Sequence, residues 1–334
     1  MLKAAVVVLG LCAVTALPQD PILRKLEPGL RYQYIRDADG APQLADLWGS
    51  AKDLAETARY NPATENIYHL FTRDNPTVSQ PLLLNRNDLL SPSNFNPNRR
   101  TIVLVHGWRT DIYGNFATVL IPAYLASEDV NVIALDWTAG ASTIRYPAAM
   151  ANTYASAASV ADFINWVNRQ TGATLGSYKL IGHSLGGQQV GNIGRHLGGE
   201  VPYLIALDPA FFGWSSNPNR FSPTDGIYTE VIHSNVGLMG ALAPLGDVDF
   251  YPNGGLNMPG CTRPMCDHDR PIYYLAESLI TGGFIGRECS SYLTALGDEC
   301  TLPGRLPMGG KEPKTGATGV YRFDTNAFSP FSLD

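Results

Sequence analysis

Charge is scarce in this sequence. Asp, Glu, Lys and Arg make up 16% of the 334 residues, against about 25% in an ordinary globular chain. Lys and Arg number 24 and Asp and Glu 30, for a formal net charge of −6. So few cations make the chain a poor partner for nucleic acid, where phosphate neutralisation dominates affinity. Long apolar runs are lacking too. The longest, from Ala4 to Ala16, falls short of the roughly 20 residues that a membrane span needs, so a soluble mature protein is expected. Asn-x-Ser/Thr sites are absent as well, since Asn75-Pro76-Thr77 carries Pro at the forbidden position. No internal repeat or low-complexity block stands out. Hydrophobic residues reach 45%, enough for a large core, and wholesale disorder is excluded.

Met1-Leu2-Lys3, the apolar run and the small residue Ala16 read as a secretory signal over residues 1–16. A secreted, extracellular protein is expected. Of five cysteines, Cys12 falls in the signal, leaving Cys261, Cys266, Cys289 and Cys300. Four cysteines allow three connectivities; nearest-neighbour pairing closes two short loops. Export favours disulfides. Zinc on Cys261, Cys266 and His268 is the lesser reading, because the usual ligand spacing is missing. Neither metal nor cofactor is expected.

Residues 17–60 differ in pattern from the remainder of the chain. Leu44, Leu47, Trp48, Ala51, Leu54, Ala55 and Ala58 recur at three- and four-residue spacing, which predicts one amphipathic helix in a propeptide or N-terminal arm. From residue 61 onward a single domain is expected. Short apolar runs at 67–71, 101–105, 131–135, 177–181, 202–207 and 228–232 suit strands buried on both faces of a mostly parallel sheet. Helices fit at 148–170, 185–197 and 271–281. The alternation predicts a doubly wound α/β sandwich, with the Gly/Pro-rich stretch 303–319 as loop.

Gly182-His183-Ser184-Leu185-Gly186 matches Gly-x-Ser-x-Gly. The pentapeptide alone is weak, but a strand enters it and a helix leaves it, as a nucleophile elbow requires. The Ser184 hydroxyl then stands at a helix N-terminus, which favours a developing anion. A serine nucleophile needs a base and a group to orient that base. Asp208 directly follows strand 202–207, at the strand end where such sheets place their chemistry. Two histidines lie beyond it. His233 ends an apolar strand and reads most simply as a hydrogen-bonded strand-end side chain. His268 sits in a loop between the Cys261/Cys266 pair and the helix expected near Pro271, and position favours it. Backbone N–H groups of Leu185, next after the serine, and of Trp108, after strand 101–105, are the candidate oxyanion donors.

Val103-Leu104-Val105-His106-Gly107-Trp108, the elbow at Ser184 and Ala206-Leu207-Asp208-Pro209-Ala210 resemble the pancreatic lipase family of animals. So do Val231-Ile232-His233, the run 249–255, Pro259-Gly260-Cys261, Cys266-Asp267-His268 and the Cys289/Cys300 pair. The resemblance covers about residues 64–305 and is nearest to secreted insect members. It implies an α/β-hydrolase fold and a catalytic triad of Ser184, Asp208 and His268, settling the histidine. It also implies Trp108 and Leu185 as oxyanion donors and ester hydrolysis through an acyl-enzyme. The expected partner is lipid at an oil–water or membrane surface.

The sequence also departs from the pancreatic pattern. It ends at Asp334, which leaves no room for the C-terminal β-sandwich domain of the vertebrate enzymes, so no colipase is expected. The family's lid lies between cysteines matching Cys261 and Cys266, and only Thr262, Arg263, Pro264 and Met265 separate them here. Four residues cannot form an amphipathic lid helix. In this family short lids go with phospholipase or galactolipase activity and long lids with triacylglycerol hydrolysis, so the substrate stays open among the three. Phe211, Phe212 and Trp214 either line the acyl site or pack in their own loop. The apolar loop 238–242 either meets lipid or is buried. Some relatives are yolk-storage or lipid-binding proteins lacking the serine, and a catalytically silent protein of that kind is the alternative.

Overall fold

A computed structural model describes residues 32–36, 42–46, 55 and 57–334. In chain order the strands begin with β1 (Tyr32–Arg36), β2 (Pro42–Asp46), β3 (Ile67–Phe71), β4 (Gln80–Leu82) and β5 (Thr101–Val105). They continue with β6 (Asn131–Asp136), β7 (Tyr178–His183), β8 (Tyr203–Leu207) and β9 (Thr229–Ile232). The last are β10 (Val248–Phe250), β11 (Ile285–Cys289), β12 (Arg305–Pro307) and β13 (Gly319–Arg322). β1 and β2 form an antiparallel hairpin. The other eleven make one sheet in the order β12-β11-β13-β10-β9-β8-β7-β5-β6-β3-β4. Its seven central strands, β13 through β6 in that order, run parallel. The flanking pairs run antiparallel to them or to each other.

β5 shows why the layers form. Val103 and Val105 point into one core, while Ile102 and Leu104 point into a second on the opposite face. A strand with both faces covered reads as an unbroken apolar run. The first core packs helix α2 (Tyr146–Thr171) and helix α3 (Leu185–His196). The second packs helix α1 (Asn115–Ser127) and helix α4 (Pro264–Ile280). Gly172, in the left-handed region at φ 82°, ends α2 and donates its N–H to the Asn168 carbonyl, a common helix stop. Parallel strands with helices on both faces make this an α/β-hydrolase sandwich.

Every strand expected from the apolar runs is present, as are helices over most of 148–170 and 185–197. Three expectations fail. The helix expected near Pro271 begins at Pro264 and runs through Pro271, so His268 is helical rather than in a loop. Pro264 supplies the start signal, since its missing N–H falls among the orphan donors of a first turn. The stretch 303–319 is not only loop. It holds β12, and β13 follows in the sheet interior beside β10. Lys314 anchors the stretch from below through a 2.5 Å ion pair to buried Glu230. Leu44, expected in the N-terminal helix, lies in β2, where pairing with β1 satisfies the backbone in a way periodicity alone does not register. Leu47, Trp48, Ala51 and Leu54 of that helix, and the signal at residues 1–16, lie outside the described residues. Among the described residues, no helix is long and apolar enough to cross a membrane.

Candidate active site

β7 ends at His183, and the chain turns at Ser184 into α3. Ser184 has φ 57° and ψ −121°, a conformation L-residues seldom hold without support. The support is close packing. A Cβ on Gly182 would overlap the Gly186 carbonyl, and one on Gly186 would overlap the Val105 carbonyl. The Ser184 N–H donates to Leu207 O at 3.1 Å, and its carbonyl accepts the Ala210 N–H at 3.0 Å. The elbow is therefore stitched to both sides of Asp208.

Asp208 leaves the end of β8 with φ 40° and is fully buried. Its Oδ1 accepts the N–H groups of Ser234 at 2.8 Å and Asn235 at 3.0 Å. Its Oδ2 lies 2.5 Å from His268 Nδ1. Gly240 presses on this carboxylate so closely that a Cβ there would overlap it. Because Asp208 takes Nδ1, the neutral His268 ring carries its proton there and presents Nε2 as an acceptor. Nε2 is buried and has no hydrogen-bond partner among the described residues. Ser184 and His268 line the same cleft, an open space of about 860 Å³ walled by Trp108, Phe116, Tyr146, Phe212, Met239, Met265 and Ile272. The site residues named from sequence thus come together at the C-terminal edge of the parallel strands.

Trp108 is fixed by its indole N–H, which donates to Thr143 O at 2.8 Å, and by an edge-on contact with Tyr146. The loop behind it is braced by Trp137, whose indole N–H donates to His106 O at 2.9 Å. Among the described residues, neither the Trp108 nor the Leu185 backbone N–H has an acceptor.

His233 is elsewhere. Its Nε2 lies 2.8 Å from Asp249 Oδ1 and its Nδ1 lies 2.9 Å from Ala241 O, with the ring stacked on Tyr251. Burial pushes the Asp249 carboxyl up, and the contact with His233 opposes that. Both imidazole nitrogens are committed, so this is a core brace. The cysteines pair as Cys261–Cys266 and Cys289–Cys300. Of the loop aromatics, Phe212 enters the cleft, whereas Phe211 and Trp214 line a neighbouring apolar cavity. Loop 238–242 is largely buried, with Met239 reaching the cleft wall.

Several residues of the site carry no motif. His183 donates from Nε2 to the His268 carbonyl at 2.9 Å, and burial, then the nearby His268, drives its pKa well below the ordinary value. Asp269 lines the cleft with its Oδ1 3.7 Å from His183 Nε2. Burial pushes Asp269 up to about 6, although His268 pulls the other way. Starting α4 at Pro264 would have put Asp269 beside the site. On the surface, Tyr113 is 79% exposed and Ile144 60% exposed. Tyr113 lies in a loop that also supplies the cleft residues Thr110 and Gly114, and Ile144 lies two residues ahead of the cleft residue Tyr146, where α2 begins.

Residues 39–320 match the family described as Lipase. Lipase member H-A of Xenopus laevis is 33% identical over 289 residues, covering 78% of this chain and 62% of that one. Pancreatic lipase-related protein 2 of Bos taurus is 33% identical over 251 residues, covering 67% and 53%. The chain thus spans between about half and three fifths of the length of these relatives. Among solved structures, an acetyl xylan esterase from Aspergillus awamori aligns with a TM-score of 0.31 and 12% identity, over 44% of this chain and 66% of that one.

Proposed function

The chain belongs to the lipase family, and on that premise we propose that it is a secreted lipid carboxylic ester hydrolase working through an acyl-enzyme on Ser184. One observation carries the reading. His268 takes Asp208 on Nδ1 and leaves Nε2 unpaired in the cleft that holds Ser184.

Nε2 takes the hydroxyl proton as Ser184 Oγ attacks the ester carbonyl, and Asp208 holds the tautomer and stabilises the imidazolium. The oxyanion forms against the Trp108 and Leu185 N–H groups and the N-terminus of α3. His268 then protonates the leaving alcohol, and water repeats the sequence to free the acid. The apolar cleft walls suit an acyl chain, and exposed Tyr113 and Ile144 favour contact with a lipid surface. Two disulfides fit an oxidising compartment, and with the leader at residues 1–16 they support export. Residues 17–60 are then an N-terminal segment ahead of the hydrolase domain at 61–334. The lid between Cys261 and Cys266 has only Thr262 and Arg263 ahead of α4, which leaves the cleft open without an interface.

Ser184→Ala tests the reading. It should abolish p-nitrophenyl butyrate hydrolysis and labelling by a serine-directed phosphonate while leaving the circular dichroism spectrum unchanged. Undiminished turnover in the variant would overturn the serine mechanism. Absence of turnover and labelling in the wild type would instead favour a lipid-binding storage relative.

A further inference from the structure

The cleft around Ser184 is apolar. Asp208, spent on His268, lies fully buried behind it, and among the described residues that line the cleft one carries a carboxylate. That group is Asp269, whose side chain keeps 23% of its exposure. None of the described residues lining the cleft is Lys or Arg. The charged groups that act on Asp269 are His268 and Asp208, and Asn115 hydrogen-bonds it. His183, its near neighbour, is held neutral by burial. With its pKa near 6, Asp269 is an anion at neutral pH, and no Lys or Arg among the described residues lining the cleft offsets it.

We propose that Asp269 makes this cleft select lipid esters with uncharged head groups, acylglycerols and glycosylglycerides, over glycerophospholipids. The inference rests on the ester-hydrolase reading and names its substrate class. In a glycerophospholipid the phosphodiester lies a few bonds from the ester under attack. Docking that ester on Ser184 brings the phosphodiester into the same apolar-walled cleft as Asp269. Like charges repel strongly where water is thin. An uncharged third substituent meets no such barrier, and a sugar hydroxyl can donate to the carboxylate. Asp269 thus acts by rejecting the wrong head group.

The test compares trioctanoylglycerol, dioctanoylphosphatidylcholine and dioctanoylphosphatidylglycerol in the same nonionic mixed micelles, with the full chain. The wild type should favour trioctanoylglycerol. Asp269→Asn should raise the phospholipid-to-acylglycerol ratio about tenfold, most for the net-anionic phosphatidylglycerol, and Asp269→Ser should move it the same way. A wild-type preference for phospholipid, or a ratio that neither variant moves, overturns the proposal. So does an equal fall on all three lipids, which would mark Asp269 as support for His268 alone. Hydrolysis of p-nitrophenyl butyrate by the wild type separates these results from failure of the ester-hydrolase reading, which would abolish it.

Discussion

His183 Nε2 donates to the carbonyl of His268 at 2.9 Å, and the two rings sit 4.5 Å apart. The residue before the nucleophile thereby fixes the helix turn that carries the proposed base. Held neutral by burial, His183 keeps that geometry over the working pH range. His183→Phe removes this donor from the His268 carbonyl and frees that helix turn from the end of β7. Turnover of p-nitrophenyl butyrate should fall by about tenfold to a hundredfold. A lowered melting temperature with full kcat would show that the bond serves the fold only.

The elbow stores strain at Ser184, whose positive φ costs a side-chain-bearing residue of order 1–3 kcal/mol. Glycine occupies that region freely. Of two inactive variants, Ser184→Gly should therefore melt at a higher temperature than Ser184→Ala. Equal or reversed melting temperatures in a calorimeter would mean that the surrounding packing, not the backbone angle, sets the local energy.

The two downstream histidines should separate by measurement. His268→Ala should abolish hydrolysis, and because it also takes the Nδ1 contact from buried Asp208, its melting temperature should fall as well. His233→Ala strips buried Asp249 of one partner and leaves it the Leu245 and Gly246 N–H groups, which costs about 1–3 kcal/mol. That variant should be markedly less stable yet active per folded molecule. Loss of activity in folded His233→Ala would reopen the choice between them.

Local features make much of this site legible in the sequence. Ser184, Asp208 and Trp108 each lie just past a buried parallel strand, and such strands show as continuous apolar runs such as Thr101–Val105. The histidine is harder because its place depends on a helix start. Pro271 looks like that start, while Pro264 supplies it. α1 escapes a periodicity reading because it carries Pro122 and apolar residues around much of its circumference, which blurs any stripe. β13 is four residues, Gly-Val-Tyr-Arg, beginning with a glycine. Only its long-range pairing with β10 and β11 identifies it. Asp269 and His183 matter through neighbours distant in sequence, and no local pattern marks that.

Acidification should relax the selectivity. The Asp269 pKa is raised to about 6, so its charge is present at about pH 8 and lost as pH falls through about 6. A phosphodiester stays anionic throughout. The groups facing Asp269 are His183, His268, Asp208, Asn115 and Tyr273. The phospholipid-to-acylglycerol ratio should rise on acidification in the wild type and stay flat in Asp269→Asn. Parallel slopes in the two proteins would count against a role for that carboxylate.

Lipid contact should depend on the rim more than on charge. The chain carries a formal net charge of −6, so anionic surfaces exert no general attraction. Tyr113→Ser with Ile144→Ser should weaken sedimentation with phosphatidylcholine vesicles about tenfold, given the apolar area removed. Hydrolysis of dissolved p-nitrophenyl butyrate should persist. Unaltered sedimentation would place the contact elsewhere.

The placement of β13 has a consequence for biosynthesis. Residues 319–322 fill an interior slot between β10 and β11, so the sheet stays split until those residues have left the ribosome. Until then β10 and β11 present unpaired backbone edges, which invite intermolecular pairing. Closure of the distal edge therefore waits on residues 319–322. A premature stop just ahead of Gly319 would remove a structural keystone rather than a tail.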